Sequence, residues 1–114
     1  MNSSIAIGLL LYFLSHIIIW FQVNGQFIWV WAKDNPFILS LAGVPISLGY
    51  IYASRYAFVA FDELLWPGRL LGFALGIISF TVLTNYYMGE GITPKVLVSL
   101  VLAIALVCIQ VFWK

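Results

Sequence analysis

Before Lys33 the chain carries no Lys, Arg, Asp or Glu, yet it places Tyr12, Ser15, His16, Gln22 and Gln26 in a run of aliphatic and aromatic residues. An imidazole can bind, protonate or orient a substrate because it changes charge near physiological pH. Hydroxyls and amides supply donors and acceptors around it. On a helix that advances by about 100° per residue, these five side chains share a stripe about 120° wide, with Ile19 inside it and Asn24 outside. Hydrocarbon cannot hydrogen-bond any of them, so the stripe must face protein or enclosed water. Two roles fit His16. It can line a cavity and handle a ligand, or it can hydrogen-bond a Ser or Tyr on a neighbouring helix, a contact worth about 0.6–2 kcal/mol.

The helix that must carry this stripe belongs to a chain of 114 residues, 64% hydrophobic and 8% charged. Soluble domains carry about 25% charged residues to hydrate their surface, so this composition points to a bilayer. Roughly 20 apolar residues cross a hydrocarbon core, and four such spans with short turns use nearly the whole length. The fold class expected is all-α: an integral-membrane bundle of four transmembrane helices at about residues 4–24, 36–57, 67–88 and 94–113. None of the long runs alternates as a membrane barrel strand would. No basic residue precedes the first apolar run, which is therefore expected to stay as a permanent helix.

Local signals set the joints. Gly25 ends helix 1 or bends it towards Trp29 and Trp31, indoles suited to headgroup level. Asn35 can cap helix 2 with Pro36 at its first position. Pro45 should bend helix 2 mid-span, with Ser47 or Tyr50 available to the freed carbonyl. Arg55, Asp62, Glu63 and Arg69 mark a short amphipathic connector at the interface, and Trp66 and Pro67 open helix 3. The turn GEGITPK offers Thr93 as a cap and Pro94 as the first residue of helix 4, which exits at Trp113 and Lys114. With both termini on one side, that side holds Arg55, Arg69 and Lys114 against Lys33 and Lys95 on the other. This bias allows either cytoplasmic termini or insertion both ways.

Further ridges repeat at helical spacing. Ser40, Gly43, Ser47 and Tyr50 form a small and polar ridge on helix 2, read either as close packing or as Ser47 and Tyr50 walling the His16 cavity. Gly68, Gly72, Gly76 and Ser79 form a small-residue ladder on helix 3 that lets two backbones approach. Asn85, Tyr86 and Tyr87 suit an interfacial anchor. Ser99, Ala103 and Gln110 mark helix 4 as a packing helix.

Several chemistries are set aside. One histidine and one cysteine cannot make a zinc or haem ligand set, so no metal or cofactor is expected. Cys108 reads as a lipophilic packing residue. Asp62 and Glu63, adjacent on a helix, point about 100° apart and do not pair. There is no triad spacing and no phosphate loop, and a net charge of +1 implies no nucleic acid. An enzyme acting on interfacial lipid would have only Arg55, Asp62, Glu63 and Arg69, so no enzyme is expected.

The stretch YYMGEGITPKVLVSLVLAIALVCIQVFW, Tyr86 to Trp113, resembles the small four-helix members of the drug/metabolite transporter superfamily. There a third helix commonly ends in a Gly-Glu turn, followed by a polar or proline step and a small-residue fourth helix; Gly89, Glu90 and Pro94 match. YASRYAFVAF, Tyr52 to Phe61, looks like the region joining helices 2 and 3 in those proteins. Small multidrug resistance proteins of this group work as dimers, often oppositely inserted, and carry a helix 1 glutamate. Helix 1 here has no carboxylate, and His16 stands at a similar depth. The resemblance implies a multi-pass protein of a bacterial-type inner membrane, in contact with membrane lipid. It would act as a homodimer, or with a partner membrane protein, and move a small amphipathic or lipid-like solute by alternating access. Its substrate path would be Tyr12, Ser15, His16, Gln22, Gln26, Ser47 and Tyr50. The alternative is a non-transporting accessory or scaffold subunit of a larger membrane complex, with the helix 3 ladder as its contact.

Overall fold

A computed structural model describes residues 3–113. Lys114, expected at the exit of the last helix, lies outside the described residues. Helices α1 (Ser3–Asn24), α2 (Val30–Asp34), α3 (Pro36–Ser40), α4 (Gly43–Ala60), α5 (Trp66–Met88) and α6 (Pro94–Phe112) are joined by short turns, with no strand among the described residues. Three stretches are long and apolar enough to cross a membrane: Ser3–Phe27, Pro36–Ala60 and Trp66–Met88. A fourth apolar stretch, Pro94–Gln110, is shorter.

The joints follow from which backbone groups find partners. Gly25 opens a 3-10 turn, Gly25–Phe27, and its carbonyl accepts from the Ile28 and Trp29 amides. The missing side chain leaves room for the Trp29 ring, 3.5 Å from where a Cβ would stand. Asn35 sits before α3, but its side-chain amide turns back and donates to the Trp31 carbonyl at 2.8 Å.

The second span breaks at Leu41–Ala42, ahead of the expected bend. Pro45 has no N–H to offer the Leu41 carbonyl four residues back. That carbonyl is served at 3.2 Å by the Val44 amide instead, and Ala42 donates to Leu39. The chain thus tightens into i to i+3 bonds before α4 begins. Gln22 of α1 donates a further bond to Leu39 O, at 3.1 Å. Gln22 and Val44 stabilise the break, and no bond from Ser47 or Tyr50 reaches it.

The connector between α4 and α5 is shorter than its charges imply. α4 runs through Arg55, whose guanidinium lies 5.0 Å above the Tyr52 ring, and ends at Ala60. The chain then turns through Asp62 and Glu63, both left-handed at φ of 56° and 63°, a conformation non-glycine residues seldom adopt. The Glu63 amide closes the helix end on the Phe58 carbonyl at 2.9 Å, the pattern of a Schellman cap. At the far end of α5, Gly89 takes the left-handed position, φ 63°, where glycine has no Cβ to clash. Thr93 then caps α6 by accepting the Val96 amide at 3.3 Å.

α1 is the central helix. It runs antiparallel to α3 and α4, with Gly8 against Ala53 and Ala57 and Tyr12 against Ser54 of α4, and Gln22 against Leu39 of α3. It runs parallel to α5, with Tyr12 over Gly72, His16 over Gly76 and Trp20 against Thr84. α6 packs mainly on α5, and Ala103 is its one buried residue among those described. The core is small, built on Tyr12, Ala53 and Ala57 with Leu11, Tyr50, Phe61 and Leu75 around it. The helices form a slab of 47 × 36 × 18 Å, and its outer faces are apolar, with Phe37 87% and Phe112 77% exposed.

Candidate functional site

Two aromatic side chains of α1 need space that a helix of ordinary residues would not leave. The glycines of α5 provide it. A Cβ on Gly72 would stand 3.2 Å from Tyr12 Cε1, and one on Gly68 would stand 3.4 Å from the Tyr12 hydroxyl. A Cβ on Gly76 would come within 2.6 Å of His16 Cε1. The expected close approach of backbones along this ladder is replaced by two rings seated on bare backbone. Ser15 seats the same way against Gly49 of α4.

These rings anchor a polar chain across the helices. The Tyr12 and Ser54 hydroxyls are 3.1 Å apart, either able to donate. The Tyr50 hydroxyl of α4 lies 2.8 Å from His16 Nε2. Tyr50 also meets both α1 rings edge to face, at centroid distances of 5.6 Å to Tyr12 and 5.4 Å to His16, the geometry aromatic quadrupoles favour. His16 therefore has the hydroxyl neighbour that a packing role requires, and it also borders open space.

That space is a cleft in two parts. One, of about 260 Å³, lies between α4 and the start of α5, bordered by Tyr12, Tyr50, Ser54, Leu65 and Arg69. The other, of about 520 Å³, follows α1 and α5 past His16, Ile19, Trp20, Phe73, Ile77 and Phe80. Tyr50, Arg69 and Gly72 border both. Polar groups thus cluster at one end of an apolar trough, an arrangement able to hold a small amphipathic molecule.

Of the side chains expected on the path, Tyr12, His16 and Tyr50 meet at this cleft. Ser15 is buried beside it, against Gly49. Gln22 and Gln26 border a separate cavity of about 240 Å³ near Lys33 and Ser40, and Gln26, exposed in the 3-10 turn after Asn24, donates to the Val23 carbonyl at 2.9 Å. Ser47 is exposed on α4 and borders none of these cavities. Ser79, next on the glycine ladder, is buried, and its hydroxyl has no hydrogen-bond partner among the described residues.

Arg69, expected in the interfacial connector and exposed, is the cleft residue that sequence reasoning missed. Its spacing offered the signal: three residues before Gly72 and seven before Gly76, it shares their helical face. It borders both parts of the cleft together with Tyr50, and no carboxylate pairs with it among the described residues. Asp62, Glu63 and Arg55 border neither part of the cleft. At the opposite end Trp20 Nε1 donates to Thr84 Oγ1 at 3.0 Å, and Trp20, Phe21, Trp29 and Tyr87 pack together at centroid distances of 5.3–6.4 Å. Such an aromatic group suits a membrane interface. No family model, no curated protein and no solved structure matches this chain.

Proposed function

We propose that this chain is a multi-pass membrane protein of the drug/metabolite transporter type, which moves a small amphipathic or lipid-like solute by alternating access as a dimer. The observation that carries this reading is the cleft itself: Tyr12, His16 and Tyr50 converge on a void that continues along an apolar trough. A polar group in hydrocarbon is expensive unless it serves packing or a ligand, and here one imidazole does both. The slab's 18 Å thickness is a layer about two helices deep, at about 10 Å per helix, and in this reading a second copy closes the path. The breaks at Gly25 and Leu41–Ala42 supply the joints at which such a layer flexes.

The test uses vesicles carrying the full chain and fluorescent single-chain amphiphiles with anionic, cationic and uncharged heads. At least one probe should cross faster than in empty vesicles, and His16→Ala should slow it about tenfold. Gln22→Leu, placed at the helix break, should keep near-wild-type transport per folded molecule. If no probe crosses faster than in empty vesicles, the transport reading is lost.

A second reading, an accessory subunit of a larger membrane complex, draws on α6. That helix rests mainly on α5 and leaves an apolar groove of about 590 Å³ beside it, lined by Ile78, Val82, Leu100 and Ile104. A purified monomer that associates only with another membrane protein would favour this reading; a self-sufficient homodimer favours transport.

A further inference from the structure

Among the described residues, Arg69 is the only Asp, Glu, Lys or Arg side chain bordering either part of the cleft. It stands where the two parts of the cleft meet. Along α5 from Arg69 to Phe80 the larger part runs for about 16 Å at ~1.5 Å per residue. Its walls after His16 are mainly apolar, among them Ile19, Trp20, Phe73, Ile77 and Phe80, with the Asn24 amide as the exception. The larger part is thus cationic at one end and mainly apolar along the rest.

A guanidinium carries five donors and no acceptor, and it keeps its charge at any pH a protein meets. The fork of a carboxylate or phosphate matches it and gives charge-assisted bonds about twice as strong as neutral ones. Arg69 has no carboxylate partner among the described residues, although Asp62 and Glu63 lie only a few residues earlier in the chain. The neighbouring Tyr50 hydroxyl can donate to an anionic oxygen when His16 Nε2 carries the proton and donates to it. A cationic head, by contrast, would face Arg69 with no acidic group in the lining.

We propose that the cleft selects an amphipathic anion: a carboxylate or phosphate head held by Arg69 beside Tyr50, with a single apolar tail laid along Phe73, Ile77 and Phe80. This inference rests on the cleft being the substrate path and names the class of substrate. The same chemistry is offered by free single-chain anions and by the headgroup of a bilayer phospholipid. A purely anchoring Arg69, reaching for the interface on its long stem, would affect insertion and leave head-group preference unchanged.

The experiment is calorimetric titration of the purified full chain with dodecyl phosphate and with dodecyltrimethylammonium. It is performed in an uncharged maltoside and again in nanodiscs of phosphatidylcholine or phosphatidylglycerol. Dodecyl phosphate should bind saturably and the cation should not. Arg69→Gln should weaken dodecyl phosphate about tenfold or more, the effect of losing a charge-assisted bond, and Arg69→Lys should recover part of that loss. Circular dichroism checks that both variants keep their helices. Weaker dodecyl phosphate binding in phosphatidylglycerol than in phosphatidylcholine supports the proposal with a lipid headgroup as the competing occupant. Equal affinity in the two supports it with a free anion. Cation binding as tight as that of the phosphate, or an Arg69→Gln chain that binds phosphate like wild type, overturns the anion selection and leaves the cleft as a path. No binding of either probe by a helical chain overturns the path as well.

Discussion

Tyr12→Ala is expected to destabilise the helix assembly by about 2–3 kcal/mol, measured as loss of helical circular dichroism during titration with a denaturing detergent. Tyr12 is 4% exposed and lies at the centre of the contact between α1, α4 and α5. Its ring fills the hollow over Gly68 and Gly72 and meets Tyr50 edge to face. Removing it leaves a cavity between three helices that cannot collapse without moving α5. Aromatic-to-alanine changes in soluble cores cost about 3–5 kcal/mol; the figure here is lower because lipid, unlike water, also solvates the ring once the helices separate. Tyr12→Phe keeps the ring and loses only the 3.1 Å contact with Ser54, so its cost should stay near 0.6 kcal/mol. Equal effects of the two substitutions would mean that the hydroxyl, and not the ring, holds the layer together.

Gly76→Ala is expected to affect binding more than stability. The added Cβ would stand 2.6 Å from His16 Cε1 and 2.9 Å from Nδ1, distances that real side chains do not keep. The imidazole must swing away from α5, which breaks its 2.8 Å contact with Tyr50 and pushes the ring into the cleft. Overpacking costs about 1–3 kcal/mol, but alanine returns up to about 1 kcal/mol of helix propensity. The net destabilisation is therefore about 1 kcal/mol, while amphiphile binding should fall about tenfold. Gly72→Ala meets Tyr12 at a milder 3.2 Å and should do less. Calorimetric titration of the two variants against wild type checks the order.

The sequence carried the long helices, the Thr93–Pro94 start of α6 and the inward direction of Tyr12 and His16, because hydrophobic length, capping chemistry and helical spacing are local properties. What filled the glycine ladder was not legible. Glycines four apart make a hollow, and a hollow accepts a backbone or a ring equally well until the neighbouring helix is known. Gln22 and Gln26 lie together, as the stripe implied, but on a cavity bordered by Lys33, Pro36 and Leu39, a fold-back of the chain that helical spacing does not reveal. Arg55 reads as part of the connector because it is charged; stacked on Tyr52, it stays within α4. Arg69 reads as part of the same connector; it is exposed, and its spacing to Gly72 and Gly76 also places it on the cleft face.

The most direct measurement labels single cysteines with a membrane-impermeant maleimide in vesicles of the full chain, on a Cys108→Ala background. Ile19→Cys and Ile77→Cys probe the cleft wall; Leu48→Cys probes an exposed α4 position that borders neither part of it. If Tyr12, His16 and Tyr50 enclose a hydrated, ligand-accepting space, the two cleft cysteines react, dodecyl phosphate protects them, and Leu48→Cys stays unlabelled. Cleft cysteines as inert as Leu48→Cys would mean that acyl chains or packed protein fill the space, and would contradict a solute path through it.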